Sequence, residues 1–393
     1  MIEGYVFEWL NLLGRAVHVI AGIAWIGASF YFVWLDNHLK APVDAGAQAR
    51  GVGGELWAVH GGGFYHSQKY LGAPPALPAT LHWFKWEAYT TLLSGLFLLV
   101  LIYYLQAEVY LIDHSVADLS APAAVALGVA WLATGWLAYD VSCRLLGARD
   151  RVLAAVIALL CAGAAYGLCH LFSGRAAYLH FGAMLGTIMV SNVFFMIIPA
   201  QRAMVEAVAA GRAPDIARAT RARQRSVHNT YFTLPALFAM ISIHYGWIWS
   251  ADLNWLWLLT ISAATVLVRA FFVARHRGRA PAWMLIAAAI LLAATAYGLK
   301  PRVFANPWTS DPPRTQAIVA ERCTPCHSAT PRFAGVTAAP KAVILDDAAQ
   351  LRTHAAAARA QLASRAMPPG NVTGLTDDER AALIAWIDAP HGR

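Results

Sequence analysis

Apolar residues gather along this chain into eight long stretches, at about 9–35, 86–106, 121–141, 152–172, 177–199, 231–249, 253–274 and 281–299. Each runs to roughly 19–27 residues, the length at which a helix crosses a hydrocarbon core of about 30 Å. The pattern predicts an all-α fold in which an eight-helix transmembrane bundle fills residues 1–300. Beyond it the pattern changes. Prolines crowd 301–316, which reads as a linker, and 317–393 is polar and amphipathic, as in a small separate domain.

The polar positions between the stretches orient the bundle. Lys40, Arg50, Lys69 and Lys85 fall in the first connection, Arg144, Arg149 and Arg151 in the third. Arg202, Arg212, Arg218, Arg221, Arg223 and Arg225 crowd the fifth, and Arg275, Arg277 and Arg279 the seventh. The alternate connections hold Arg175 with Glu108, Asp113, Asp118 and Asp252. Positive loops stay inside, so both termini are expected outside. The first stretch lacks a basic n-region and a small-residue cleavage site, so no cleavable signal peptide is expected.

Composition agrees. The 393 residues are 59% hydrophobic and only 13% charged, with mean hydropathy +0.49. A soluble domain is nearer a quarter charged. The net charge of +8 is spent on the connections, which points to a lipid bilayer as partner and to no nucleic acid. Cys143, Cys161 and Cys169 lie in or beside apolar stretches and read as small buried residues.

The sharpest local signal is Cys323-Thr324-Pro325-Cys326-His327. Two thiols at this spacing reach the two vinyl groups of one porphyrin, and the adjoining histidine stands under the iron, so the motif reads as covalent haem c attachment. Met367, in Ala366-Met367-Pro368-Pro369-Gly370-Asn371, is the expected opposite ligand; a methionine there raises the potential and suits the iron to accepting electrons. Thr376 and Glu379 form a capping box before Leu383, Ile384, Trp386 and Ile387. Residues 317–393 therefore read as a class I cytochrome c domain. Haem c is attached on the periplasmic side in bacteria, which gives the same topology as the positive loops: a multi-pass inner-membrane protein with termini and cytochrome domain in the periplasm.

Histidines then sort by depth. His18, His170, His180 and His244 fall in the outer halves of their stretches, His82 and His228 at inner ends, and His60 and His66 in the 36–85 loop. Ionisable residues inside a membrane default to function, and four near one face point to one or two haem b groups. His18 leads, with Arg15 one turn earlier for a propionate and Gly22 one turn later. His180 has Gly182 and Gly186 beside it, which equally suits plain helix packing, and His244 is the alternative partner. His228 and His244 are expected on one helix. The 36–85 loop, with its glycines, histidines and aromatics, is expected to fold as a re-entrant or surface structure; an interfacial aromatic belt is the alternative.

Several stretches resemble the bacterial membrane urate oxidases of the PuuD type: Arg15 to Gly27, Gly54 to His66, Leu81-His82-Trp83-Phe84-Lys85-Trp86-Glu87, Phe172 to Ala177, and Arg225-Ser226-Val227-His228-Asn229. The first also resembles HemJ-type membrane haem proteins. The resemblance covers essentially the whole chain. It implies oxidation of urate to 5-hydroxyisourate, with electrons leaving through the cytochrome to a soluble cytochrome c or terminal oxidase instead of reducing oxygen directly.

For a planar anion rich in amide groups, the expected site is the inner-face set Lys69, His82, Lys85, Glu87, Asn192, Arg202, His228 and Asn229. Lys85 or Arg202 balances charge, Asn192 pairs with a ring amide, and Phe64, Trp83 or Trp86 stacks. His82 or His228 takes a proton, while the arginines at 218–225 only anchor topology. Two rivals stand beside this expectation: a haem-wired dehydrogenase for quinol or another small reductant, and a non-catalytic electron-transfer subunit.

Overall fold

A computed structural model describes residues 2–300 and 312–389, apart from 334, 335 and 337. The fold is mostly helical. Eight long helices are α1 (Ile2–His38), α2 (Trp86–Tyr104), α3 (Ala121–Leu146), α4 (Asp150–Cys169), α5 (Gly174–Ala209), α6 (Ile216–Ser242), α7 (Asn254–His276) and α8 (Trp283–Gly298). Six of them, α1 to α5 and α7, are long and apolar enough to cross a membrane.

The other two differ from expectation. The stretch read as 231–249 is the apolar end of α6, whose first half carries the arginines; the helix stops at Ser242 and only a short turn, Gly246–Trp249, follows. His244 therefore lies in the turn beyond the helix, exposed, and does not share a helix with His228. The last helix is 16 residues long, about 24 Å at helical rise, short of a full hydrocarbon core.

The helix α5 is the hub. Tyr178, His180, Phe181 and Leu185 are all buried to within 1% of their surface, and α3, α4 and α6 pack around it. Small residues permit the closest approaches. On α3, Gly135 faces Met184 and Gly128 faces His180, and on α2, Gly95 faces His18. Both α2 and α5 contain one π-helical segment, Leu99–Tyr104 and Asn192–Ile197; such widened turns recur at functional sites.

The all-α expectation fails in the first connection, which holds an antiparallel hairpin of β1 (Val52–His60) and β2 (Gly63–Tyr70). Gly61 and Gly62 have φ of +57° and +81°, the two left-handed residues that a tight hairpin tip requires. Trp, Val, Phe and Tyr on either side suit a pleated surface. His66 stacks on Trp57 with ring centroids 4.1 Å apart and bonds Glu55 at 2.9 Å.

The C-terminal unit has its own core of Ile318, Val319, Leu345, Leu351, Leu362, Leu383 and Trp386, with Cys323 against it. Its first helix begins at Pro312, inside the stretch read as linker, while 301–311 lie outside the described residues. The Thr376–Glu379 capping box is present. Leu383 is 1% exposed, and truncating such a side chain costs about 2–5 kcal/mol. The unit rests against the bundle end opposite the hairpin.

Candidate functional site

At the hairpin end, α1, α5, α6 and the 81–84 loop enclose a pocket of about 470 Å³. Its aromatic wall is Trp25 and Phe32 from α1 with Trp83 and Phe84 from the loop. Phe84 meets Phe32 edge-on at 4.9 Å, and the His82 ring meets Phe84 at 4.6 Å, which fixes the loop over the mouth. The polar wall is Ser29, Gln201, Ser226, Asn229 and Thr233. Among the described residues, His82 is the only titratable side chain in the lining. Pockets of this kind, mainly apolar with a few converging polar groups, are the usual form of a small-molecule site.

A buried polar chain backs the Asn229 wall. Asn229 Nδ2 donates to the Met189 carbonyl at 2.9 Å. A carbonyl can only accept, so this fixes the amide's orientation and turns Asn229 Oδ1 toward Asn192, whose Nδ2 donates to it at 2.9 Å. The same Asn192 nitrogen donates to Tyr139 Oη at 3.0 Å. Tyr139 lies 2.8 Å from His228 Nδ1. The hydroxyl and the ring nitrogen share one proton between them, so the chain ends on a Tyr139–His228 pair.

Above the Tyr139 ring sits the Arg225 guanidinium at 4.9 Å, paired with Asp140 at 2.7 Å. Arg144 binds the other Asp140 oxygen at 2.6 Å. Arg225 is 2% exposed and Asp140 5%, so Arg225 is no simple surface anchor, contrary to the expectation for 218–225. Two buried atoms of this assembly, Asn192 Oδ1 and Arg225 Nη1, have no hydrogen-bond partner among the described residues.

The structure brings His82, Trp83 and Asn229 to the pocket, with Asn192 and His228 directly behind its wall. The remaining residues expected there do not line it. Lys69 pairs with Asp36 at 2.5 Å beside the hairpin. Lys85 lies over the Trp86 ring at 5.6 Å, and Trp86 itself is 65% exposed. Glu87 and Arg202 also lie outside the lining, as does Phe64 on the hairpin. Ser29, Gln201, Ser226 and Tyr139 escaped the sequence reading. Asp140 gave a signal, being an acid within an apolar stretch.

Residues 4–300 match the family described as urate oxidase N-terminal. The chain belongs to that family. No curated protein and no solved structure matches it. The match makes the chain a urate oxidase relative and covers the whole pocket and its backing chain.

Away from the pocket of this urate oxidase relative, two histidines share one arrangement, His18 beside the middle of α2 and His180 near the start of α5. His18 Nδ1 lies 3.0 Å from the Thr91 carbonyl and 3.1 Å from Ser94 Oγ. His180 Nδ1 lies 2.8 Å from the Ala176 carbonyl. A carbonyl at Nδ1 takes the ring proton there and leaves Nε2 as the lone-pair nitrogen, the form in which histidine binds a metal, although in His180 the Tyr104 hydroxyl already donates to it. His180 Nε2 reaches Tyr104 Oη at 3.2 Å. Arg15 bonds Asn11, while Arg175 stacks over Tyr103 and Tyr110 at 5.7 and 5.1 Å. His244 is not brought to either histidine's helix.

In the C-terminal unit, burial pushes the Cys323 thiol up to about 11 and shifts Cys326 upward as well. His327 Nδ1 lies 3.0 Å from the Val343 carbonyl, again leaving Nε2 free. Arg380 Nη1 holds the Met367 carbonyl at 2.8 Å. The donor set fits a haem: two free thiols, an oriented imidazole and a thioether on a pinned loop. No group of three or more His, Cys, Asp or Glu side chains is placed to hold a bare metal ion among the described residues.

Proposed function

We propose that this chain oxidises urate in the hairpin-end pocket and passes the electrons to a haem bound by Cys323, Cys326, His327 and Met367. The observation that carries this reading is the pocket's lining, aromatic on one side and amide and hydroxyl on the other, within a chain of the urate oxidase N-terminal family. A purine anion is flat and edged with lactam groups. Trp25, Phe32 and Trp83 sandwich its faces, and Asn229, Gln201 and Ser226 pair with its edges.

The reaction is urate plus water to 5-hydroxyisourate, two protons and two electrons. His82, in contact with the ligand, takes the first proton as electrons depart. Tyr139 and His228, linked to the wall through Asn192, hold a second titratable centre behind it. The haem supplies one-electron acceptance when bound. His18 and His180 are the proposed ligands of further haem b between pocket and C-terminal unit, with Arg15 and Arg175 beside them for propionates. The long apolar helices span the bacterial inner membrane, with both termini and the C-terminal unit on the periplasmic side and a soluble cytochrome c or terminal oxidase as next acceptor.

The test is anaerobic addition of urate to the purified full chain while the haem absorption is followed. Reduction of the covalent haem is expected. A haem that stays ferric overturns the reading.

A further inference from the structure

Contacts between the C-terminal unit and the bundle converge on one short loop, 364–370. Ser250 Oγ donates to the Ser364 carbonyl. A Cβ on Gly246 would stand 2.7 Å from that of Ala366, and Ala366 packs onto the bundle core. Gly370, with φ of +55°, lies so close to the Ile112 carbonyl that no side chain fits between them. The helix Ala107–Tyr110 runs alongside the turn Pro369–Asn371. Met367 stands in the middle of this loop.

The bundle side of the contact is tied directly to α5. Ser173, the residue capping α5, donates through its backbone to the Leu111 carbonyl at 3.0 Å and through Oγ to the Tyr110 carbonyl at 2.9 Å. Two residues into that helix, Arg175 reaches back over the Tyr110 ring. His180 follows on the same helix, about 10 Å of rise from its start. A path of hydrogen bonds, closed by the packing of Gly370 on the Ile112 carbonyl, thus joins the fully buried His180 to the loop that carries Met367.

Resting on the function proposed above, we infer that loop 364–370, seated on 109–112 and 246–250, is the fixed electron-entry face of the C-terminal unit. Each hand-off moves one electron onto ferric iron with no bond made or broken. Two hand-offs take up the pair that urate releases, and the protons stay at the pocket end. Seating the loop holds acceptor and donor together at a high effective concentration, so transfer does not wait on an encounter.

Two variants test this. Gly246→Val alters only the bundle side and puts a branched side chain against Ala366. Ser250→Cys with Ser364→Cys places two thiols across the contact. The double variant is expected to form an intramolecular disulfide on mild oxidation, read as a mobility shift without reductant. Gly246→Val is expected to keep the covalent-haem spectrum and its reduction by dithionite, yet slow reduction by urate about tenfold or more. Failure of the disulfide to form, or an unslowed Gly246→Val, overturns the docked face. If the unsubstituted protein is not reduced by urate, the function itself falls and the electron-entry role with it, while the disulfide still reports the seating.

Discussion

The two ends of the bundle solve different problems with the same residue types. At the hairpin end, histidine, asparagine, serine and glutamine surround an open cavity, and of the buried charges Asp140 and Arg225 are paired while Arg269 lies over the Phe30 ring at 3.8 Å. From mid-bundle to the far end, His18 and His180 have one ring nitrogen fixed by a carbonyl, and Arg175 has aromatic rings but no carboxylate beside it among the described residues. One end is equipped to hold a hydrogen-bonding ligand and move protons. The other offers lone pairs and cations toward a unit that carries two thiols. The difference teaches that proton chemistry and electron exit are separable along this fold, so each end can be disabled alone.

The sharpest break in that separation comes from His82. His82→Ala is expected to lower turnover by about 10²- to 10⁴-fold, as for loss of a general base, with the covalent-haem spectrum unchanged; steady-state rates and a visible spectrum check both. Unchanged turnover would remove His82 from the chemistry.

Next in size is the buried pair. Asp140→Ala leaves the Arg225 charge alone beside Tyr139 and is expected to cost about 3–5 kcal/mol. Asp140→Ala combined with Arg225→Ala should cost clearly less than the single change. Thermal unfolding in detergent measures these and the Arg225→Ala single change, and a double loss equal to the sum of the two single losses would show that the pair is not coupled.

The smallest effect tests the C-terminal unit. Arg359 binds Asp388 through two bonds of 2.6 and 2.9 Å, and those bonds hold the Asp388 carboxyl below the usual carboxylate range. A depressed carboxylate stabilises the fold above its unfolded pKa and loses that contribution as pH falls through the folded value. The pair is about half exposed, so Asp388→Asn should cost below about 1 kcal/mol at neutral pH and nothing in acid. Denaturant titrations at the two pH values decide it.

What the sequence made legible was local. The spacing of Cys323, Cys326 and His327 and the Thr376–Glu379 box lie within a few residues of one another, and hydropathy located the helices. The α6 helix was cut short in the reading because its first half is arginine-rich, and hydropathy does not see a helix whose polar half lies beyond the apolar zone. The hairpin was legible as a folded loop, but its glycines and aromatics did not declare strands. The pocket was the least legible part. Its walls come from α1, α5, α6 and a loop, and residues such as Ser29 and Gln201 carry no sign of distant neighbours. Arg225 looked like the other arginines around it until Asp140, 85 positions earlier, came to meet it.

The π segment that begins at Asn192 sets the phase of everything after it. A widened turn accommodates one residue more than a regular helix does. Were the same residues wound as a regular helix, with none deleted, the rest of α5 would turn by about 100°. Gln201 would swing away from the cavity. The helix would gain a tidier ladder at the expense of the register that lets its two ends serve one ligand.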